Sequence, residues 1–318
     1  HSLLPPVDPM PPNFLLRSLR ALPAVRHALR DCDLIHATVE LYAPLAQLVT
    51  GDRPLIVTGH GSYVNLPRIR RWPVNMIYRR AFERAIMLCV SEYTASVVQE
   101  ILPTAKTVVV HNAVDAARFQ QKTMFVPEIP RPIVLATGGV KARKGTLELV
   151  QAMAQVRQQI PTVQCVVIGS KRETEYLQQV EAEIAGLGLE DCVHLPGFVD
   201  DDRFIGWYQA ADVFALPSIN AGWKFEGFGL VYLEASAAGL PVIGTRDCGA
   251  EAAIEHGKTG LLISQKKIAE ELPAAILELL HNPQKSQAMG TAGREKALSQ
   301  TWDHAAEQVI ALYENSLR

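Results

Sequence analysis

The sequence predicts an α/β protein built as two Rossmann-like domains with parallel sheets. Three observations carry this. Short, β-branched apolar runs alternate with helical patterns almost throughout the 318 residues, the mark of βαβ units and a doubly wound sheet. Charge divides unevenly, with 14 Lys and Arg against 9 Asp and Glu in residues 1–124 and 17 against 24 beyond. A loose segment, AARFQQKTMFVPEIPR (116–131), falls at that charge break, as a linker would. The domains are therefore placed at 1–120 and 121–302, and the C-terminal helix 303–318 is expected to pack back on the first.

The first domain reads as four strands, DLIHAT (33–38), PLIVTG (54–59), AIMLCVS (85–91) and TVVVHN (107–112). The second reads as five, PIVLATG (132–138), VQCVVIG (163–169), CVHLPG (192–197), VFALPS (213–218) and PVIGT (241–245). Their uninterrupted apolar character suits parallel strands buried on both faces. TLELVQAMAQVRQQI (146–160) and TEYLQQVEAEIAGLG (174–188) are helical between them. Only a Pro-rich lead, HSLLPPVDPMPPN, and one helix precede the first strand. The strand and glycine-rich turn that normally open a Rossmann half are not visible, so the front of this domain is expected to be missing.

Composition excludes several classes. With 48% hydrophobic and 20% charged residues the chain reads as globular. No apolar run reaches the roughly 18 residues of a membrane span, and the lead lacks the apolar region of a secretory signal. The five scattered cysteines form no CxxC pair, which suits reduced thiols and a cytoplasmic protein. A net charge of −2 without an RNA- or DNA-binding motif argues against nucleic acid.

Two constellations carry candidate chemistry. In EGFGLVYLEASAAG (226–239), Glu226 and Glu234 flank a Gly227-Phe228-Gly229 turn, and a helix starts near Gly229. Such a helix start aims unpaired N–H groups and a positive dipole end at an anion. The spacing puts Glu226 in the loop and Glu234 inside the helix, so the two can grip opposite ends of an extended ligand through paired hydroxyls. Alternatively they are a first-turn dipole complement and an exposed helix glutamate. In ATGGVKARKGTLELV (136–150), a buried strand runs into Gly138-Gly139, then Lys141, Arg143 and Lys144, then a second helix start near Gly145. Two helix N-termini with cations suit a diphosphate. It is not a P-loop, because GxxxxGK[ST] is absent. The run Asp200-Asp201-Asp202 reads as an N-cap with first-turn acids and not as a metal site.

EGFGLVYLEASAAGLPVIGT resembles the E-x7-E signature of GT4-type retaining glycosyltransferases, and the order TGGVKARKG, VVIGS, VHLPGFV, ADVFALPS, signature, GKTGLLI fits as well. VSEYTA and VHNAVD are similar to the family's last N-domain strand–helix and its linker. The resemblance runs from about Asp33 to about Ser264. It implies the GT-B fold, two Rossmann-like domains facing each other across a cleft, with a nucleotide-diphosphate sugar as donor substrate. In the absence of a metal-binding constellation in the sequence, transfer is expected to need no metal or other cofactor.

It also implies roles. Glu226 would hold hydroxyls of the transferred sugar, and the backbone of Gly227, Phe228, Gly229 and Leu230 would surround sugar and diphosphate. Glu234 would take the ribose hydroxyls. Lys144 would neutralise the departing diphosphate, and Val199 marks where the main chain meets the base. His60, in VTGHGS, would lie near the donor sugar. Three departures stand out: Gly139 fills a slot usually held by arginine, which Arg143 is expected to replace; the loop INAGWKF before Glu226 is long; and the glycine-rich loop of the other domain has no counterpart.

Acceptor choice falls to the basic first domain. LPRIRRWPVNMIYRRAFER (66–84) carries six arginines and one acid among apolar and aromatic residues, and NFLLRSLRALPAVRHALR (13–30) is similar. Such segments suit peripheral contact with an anionic membrane, at its inner face, or a helix packed on the sheet with a solvated arginine face. The leading expectation is therefore a retaining glycosyltransferase acting on a glycan, lipid-linked or small-molecule acceptor hydroxyl. The alternative is a non-catalytic or partial sugar-nucleotide-binding module.

Overall fold

The computed structural model describes Leu4 and residues 13–318; the Pro-rich lead otherwise lies outside the described residues. Contacts divide the chain into two units, His1–His111 with Ala306–Arg318, and Asn112–Ala305.

The first unit holds β1 (Ile35–Ala37), β2 (Leu55–Gly59), β3 (Ile86–Cys89) and β4 (Lys106–Val109), all parallel and in that order. The helices Phe14–Ala28 and Ala43–Thr50 precede β2. The basic segment 66–84 forms two helices, Leu66–Ile69 and Val74–Arg84. The first ends where Arg70 turns extended, at ψ 151°, and Pro73 is the N-cap of the second. The last helix, Trp302–Leu317, returns to this unit, where Tyr313 Oη lies 2.6 Å from His36 Nδ1 on β1.

The second unit holds β5 (Ile133–Thr137), β6 (Gln164–Ile168), β7 (Val193–Gly197), β8 (Val213–Ala215), β9 (Val242–Thr245) and β10 (Gly260–Ile263). All are parallel, in the order β10-β9-β8-β5-β6-β7. β10 is an addition to the strands read from sequence: GLLI is only four residues long, too short for periodicity to separate strand from loop. The chain steps outward from β5 to β7 and then returns to the far side of β5 as β8. The loops after β5 and β8 therefore diverge, which opens a crevice at the carboxyl ends of these strands.

Local chemistry fixes the helix starts. Asp200 caps the helix Asp201–Ala210, its carboxylate accepting from Arg203 N–H at 2.9 Å, so the acidic run serves as a cap with first-turn acids. Gly229 and Gly239 bound the helix Leu230–Ala238 in left-handed geometry, at φ 82° and 86°. Among the described residues, no helix is long and apolar enough to cross a membrane.

Candidate active site

The two glycine turns read from sequence meet at the crevice between the ends of β5 and β8. Gly138 and Gly139 both donate backbone N–H to Ile168 O, at 3.0 and 2.9 Å, with φ of 105° and 88°. A Cβ on Gly139 would stand 2.5 Å from Ser170 O, so this slot cannot carry an arginine unless the backbone moves. Arg143, four residues on, instead brings its guanidinium to Glu226.

Lys144 ends a short 3-10 turn, Ala142–Lys144, and Gly145 follows at φ 66° as N-cap of the helix Thr146–Gln159. A Cβ on Gly145 would lie 2.1 Å from Pro217 O, so this turn is seated directly on the segment that follows β8. Ile219 N–H bonds Arg143 O at 2.9 Å and closes the same contact.

These approaches deliver both cations to Glu226. Lys144 Nζ lies 2.5 Å and Arg143 Nη1 3.0 Å from Glu226 Oε2, and Ser218 Oγ donates to the same oxygen at 3.2 Å. Glu226 and Lys144 are only 8% and 7% exposed. Burial alone would raise the Glu226 pKa, but the Lys144 ammonium and the Arg143 guanidinium outweigh it and hold the carboxyl at about 2. Glu226 is thus an anion at any physiological pH, able to accept hydrogen bonds from hydroxyls and unable to act as a general acid.

The backbone after Glu226 is equally constrained. Gly249 N–H donates to Glu226 O at 2.7 Å, and a Cβ on Gly249 would lie 2.0 Å from Gly227 O. Neither atom belongs to a flexible side chain. Gly249→Ala is therefore expected to cost about 3 kcal/mol of stability and to displace Glu226. A thermal melt beside a donor-binding titration checks both effects.

Gly229, with no side-chain cap on the helix it starts, leaves the first turn without a capping side chain, at the same carboxyl edge as the cations. Glu234 lies one turn inside that helix, half-buried, and accepts from Tyr208 Oη at 2.9 Å. Burial raises its pKa, opposed by that hydrogen bond. Val199, half-buried, follows β7 on the same edge of the sheet, beside Phe198, which is exposed. The long loop before Glu226 closes on itself through reciprocal Ala221–Lys224 backbone bonds.

His60 belongs to the other unit. It follows β2, with Nε2 2.7 Å from Thr38 O and its backbone N–H donating to the buried Glu40 Oε1 at 2.6 Å. Ser218, Gly249 and Tyr208 were not singled out from sequence. Only Ser218 carried a local signal, as the last residue of ALPS after a strand.

Comparison with known proteins decides the family. The family model for glycosyl transferases group 1 matches residues 119–296, and that for glycosyltransferase family 4 matches residues 2–118. The chain is a GT4-type glycosyltransferase. It is 32% identical over 289 residues to a GDP-mannose-dependent alpha-(1-6)-phosphatidylinositol monomannoside mannosyltransferase of Mycobacterium tuberculosis, covering 86% of this chain and 72% of the relative. It is 29% identical to an MMP alpha-(1->4)-mannosyltransferase of Mycolicibacterium hassiacum, covering 97% and 76%. Among solved structures, sucrose-phosphate synthase from Thermosynechococcus elongatus is 26% identical with a TM-score of 0.79, covering 95% of this chain and 78% of that one. The GT4-type enzyme is accordingly a retaining hexosyltransferase with the GT-B fold, which favours the transferase over a binding module.

Proposed function

We propose that the enzyme transfers mannose from GDP-mannose to a hydroxyl of a lipid-linked glycan acceptor at a membrane surface, retaining the anomeric configuration. The observation that carries the donor half is the convergence of Lys144 and Arg143 on Glu226 beside a glycine-started helix. The mannosyltransferase relatives support the choice of sugar and base.

In this reading the diphosphate takes up Lys144 and Arg143, against the Gly138-Gly139 turn and the backbone of Gly227 to Leu230. The cations and the helix end stabilise the negative charge that grows as the nucleotide leaves, so no metal is required. Glu226, released in part from its ion pairs, accepts hydroxyls of the mannose and fixes the ring. Glu234 takes the ribose hydroxyls, and the main chain at Val199 meets the base. The acceptor attacks the face the nucleotide leaves. The departing phosphate oxygen receives the acceptor proton, which accounts for the lack of a dedicated general base.

GDP release from a panel of nucleotide sugars, with a mannosylated inositol phospholipid as acceptor, tests this. GDP-mannose should exceed any UDP-sugar by at least about tenfold, and a preferred UDP-sugar would overturn the donor assignment.

The acceptor half rests on the first unit. A groove of about 650 Å³ is lined by Leu19, Pro44, Leu45, Leu48, Ile77, Arg80 and Arg84, with no acidic residue among the described residues that line it. Trp72 is 80% exposed nearby in sequence, and Arg17 and Arg20 are exposed on the neighbouring helix. This is the chemistry of peripheral contact with the anionic inner face of a cytoplasmic membrane. Co-sedimentation with vesicles containing phosphatidylinositol should fall at least about fivefold in a Trp72→Ala, Arg80→Glu double variant. It should also weaken with added salt. Unchanged sedimentation would remove the membrane from the proposal.

A further inference from the structure

Glu234 ends a hydrogen-bonded chain with Tyr208 and Thr137, neither of which the steps above use. Tyr208 is wholly buried on the helix Asp201–Ala210, packed against Phe119, Phe204 and Phe214. Its hydroxyl donates to Glu234 Oε2 at 2.9 Å and lies 2.7 Å from Thr137 Oγ1. A phenol has one proton, so with that proton donated toward the carboxylate the threonine hydroxyl is the donor to the phenol oxygen.

Phenylalanine would fill the same aromatic cluster without any buried hydroxyl to satisfy. A polar atom here is costly unless bonded, and both of its bonds run toward the nucleotide site. Thr137 is the last residue of β5 and stands directly before Gly138-Gly139. The chain therefore joins the turn assigned to the diphosphate to the carboxylate assigned to the ribose.

We propose that Tyr208 is a positioning residue for the nucleotide: its hydroxyl, braced by Thr137, aims the Glu234 carboxylate at the ribose 2′- and 3′-hydroxyls. The proposal rests on Glu234 being the ribose ligand. With one oxygen held by Tyr208, the carboxylate cannot turn away, and its other lone pairs face the ligand without a rotamer search on binding.

Calorimetric titration with GDP and with 2′,3′-dideoxy-GDP, and in parallel with UDP and its dideoxy counterpart, separates this from a role in packing alone. Tyr208→Phe should weaken binding of the ribonucleotide about tenfold while leaving the dideoxy ligand within about twofold. Thr137→Val should shift the ribonucleotide alone by about threefold, and Thr137→Ser should restore it. This pair carries the test if Tyr208→Phe does not fold. Equal losses on both ligands, or no loss on either, would overturn the proposal. Glu234→Gln is the control for the underlying reading. If it weakens ribo- and dideoxy-nucleotide equally, or neither, the ribose assignment itself falls. If its loss is confined to the ribonucleotide and that of Tyr208→Phe is not, only the positioning role falls.

Discussion

Glu226→Gln is expected to lower kcat by about 10²- to 10³-fold at saturating donor. The substitution keeps shape and one acceptor oxygen, so the loss reports charge. With a neutral amide, the sugar hydroxyls lose an anionic acceptor, and Lys144 and Arg143 lose the counter-ion that sets their position. Stability carries a second signature. Because the folded-state pKa is depressed to about 2 from 4.5, Glu226 stabilises the fold fully above the unfolded value and loses that contribution as pH falls through the folded one. The wild type should thus weaken between about pH 4.5 and about pH 2 by an increment that Glu226→Gln lacks. Acid denaturation followed by circular dichroism on both proteins measures it.

Lys144→Ala is expected to be the other large loss, about 10²- to 10³-fold in kcat/KM, because the charge that compensates the departing diphosphate disappears. It also leaves Glu226 buried with Arg143 as its remaining cation, which should cost about 2–3 kcal/mol of stability. Lys144→Arg should fold better than the alanine variant and recover only part of the rate. A guanidinium preserves charge, but the lysine side chain lies against Gly138, with Cε 3.2 Å from where a Cβ there would stand. Steady-state kinetics beside thermal melts separates the two effects.

What could be read in the sequence was what is local. Gly138-Gly139, Gly145 and Gly229 announce strand-to-helix turns, and each takes the left-handed geometry that such turns require. The Asp200 cap was legible for the same reason: a short acidic run ahead of a helical pattern. The partners of Glu226 were not. Arg143 and Lys144 are more than eighty residues away in sequence, and only the β8 return beside β5 brings them to the carboxylate. Gly249 is invisible as a site residue because its function is to be absent, leaving room for Gly227 O. Tyr208 sits in an ordinary amphipathic helix pattern, and nothing in RFIGWYQAAD distinguishes a phenol that braces a carboxylate from one that simply packs. The missing arginine at position 139 looked like a lost cation; the backbone of Ser170 explains why no side chain fits there.

If Glu226 holds the sugar, it competes with the nucleotide for the same two cations, Lys144 and Arg143. Calorimetric titration of GDP into wild type and Glu226→Gln tests it most directly. Removing the internal anion frees Lys144 and Arg143, so the variant that scarcely turns over should bind GDP at least as tightly as wild type, and up to about tenfold more tightly. A loss of GDP affinity of tenfold or more in Glu226→Gln would mean that this carboxylate grips the nucleotide itself, and would contradict the account.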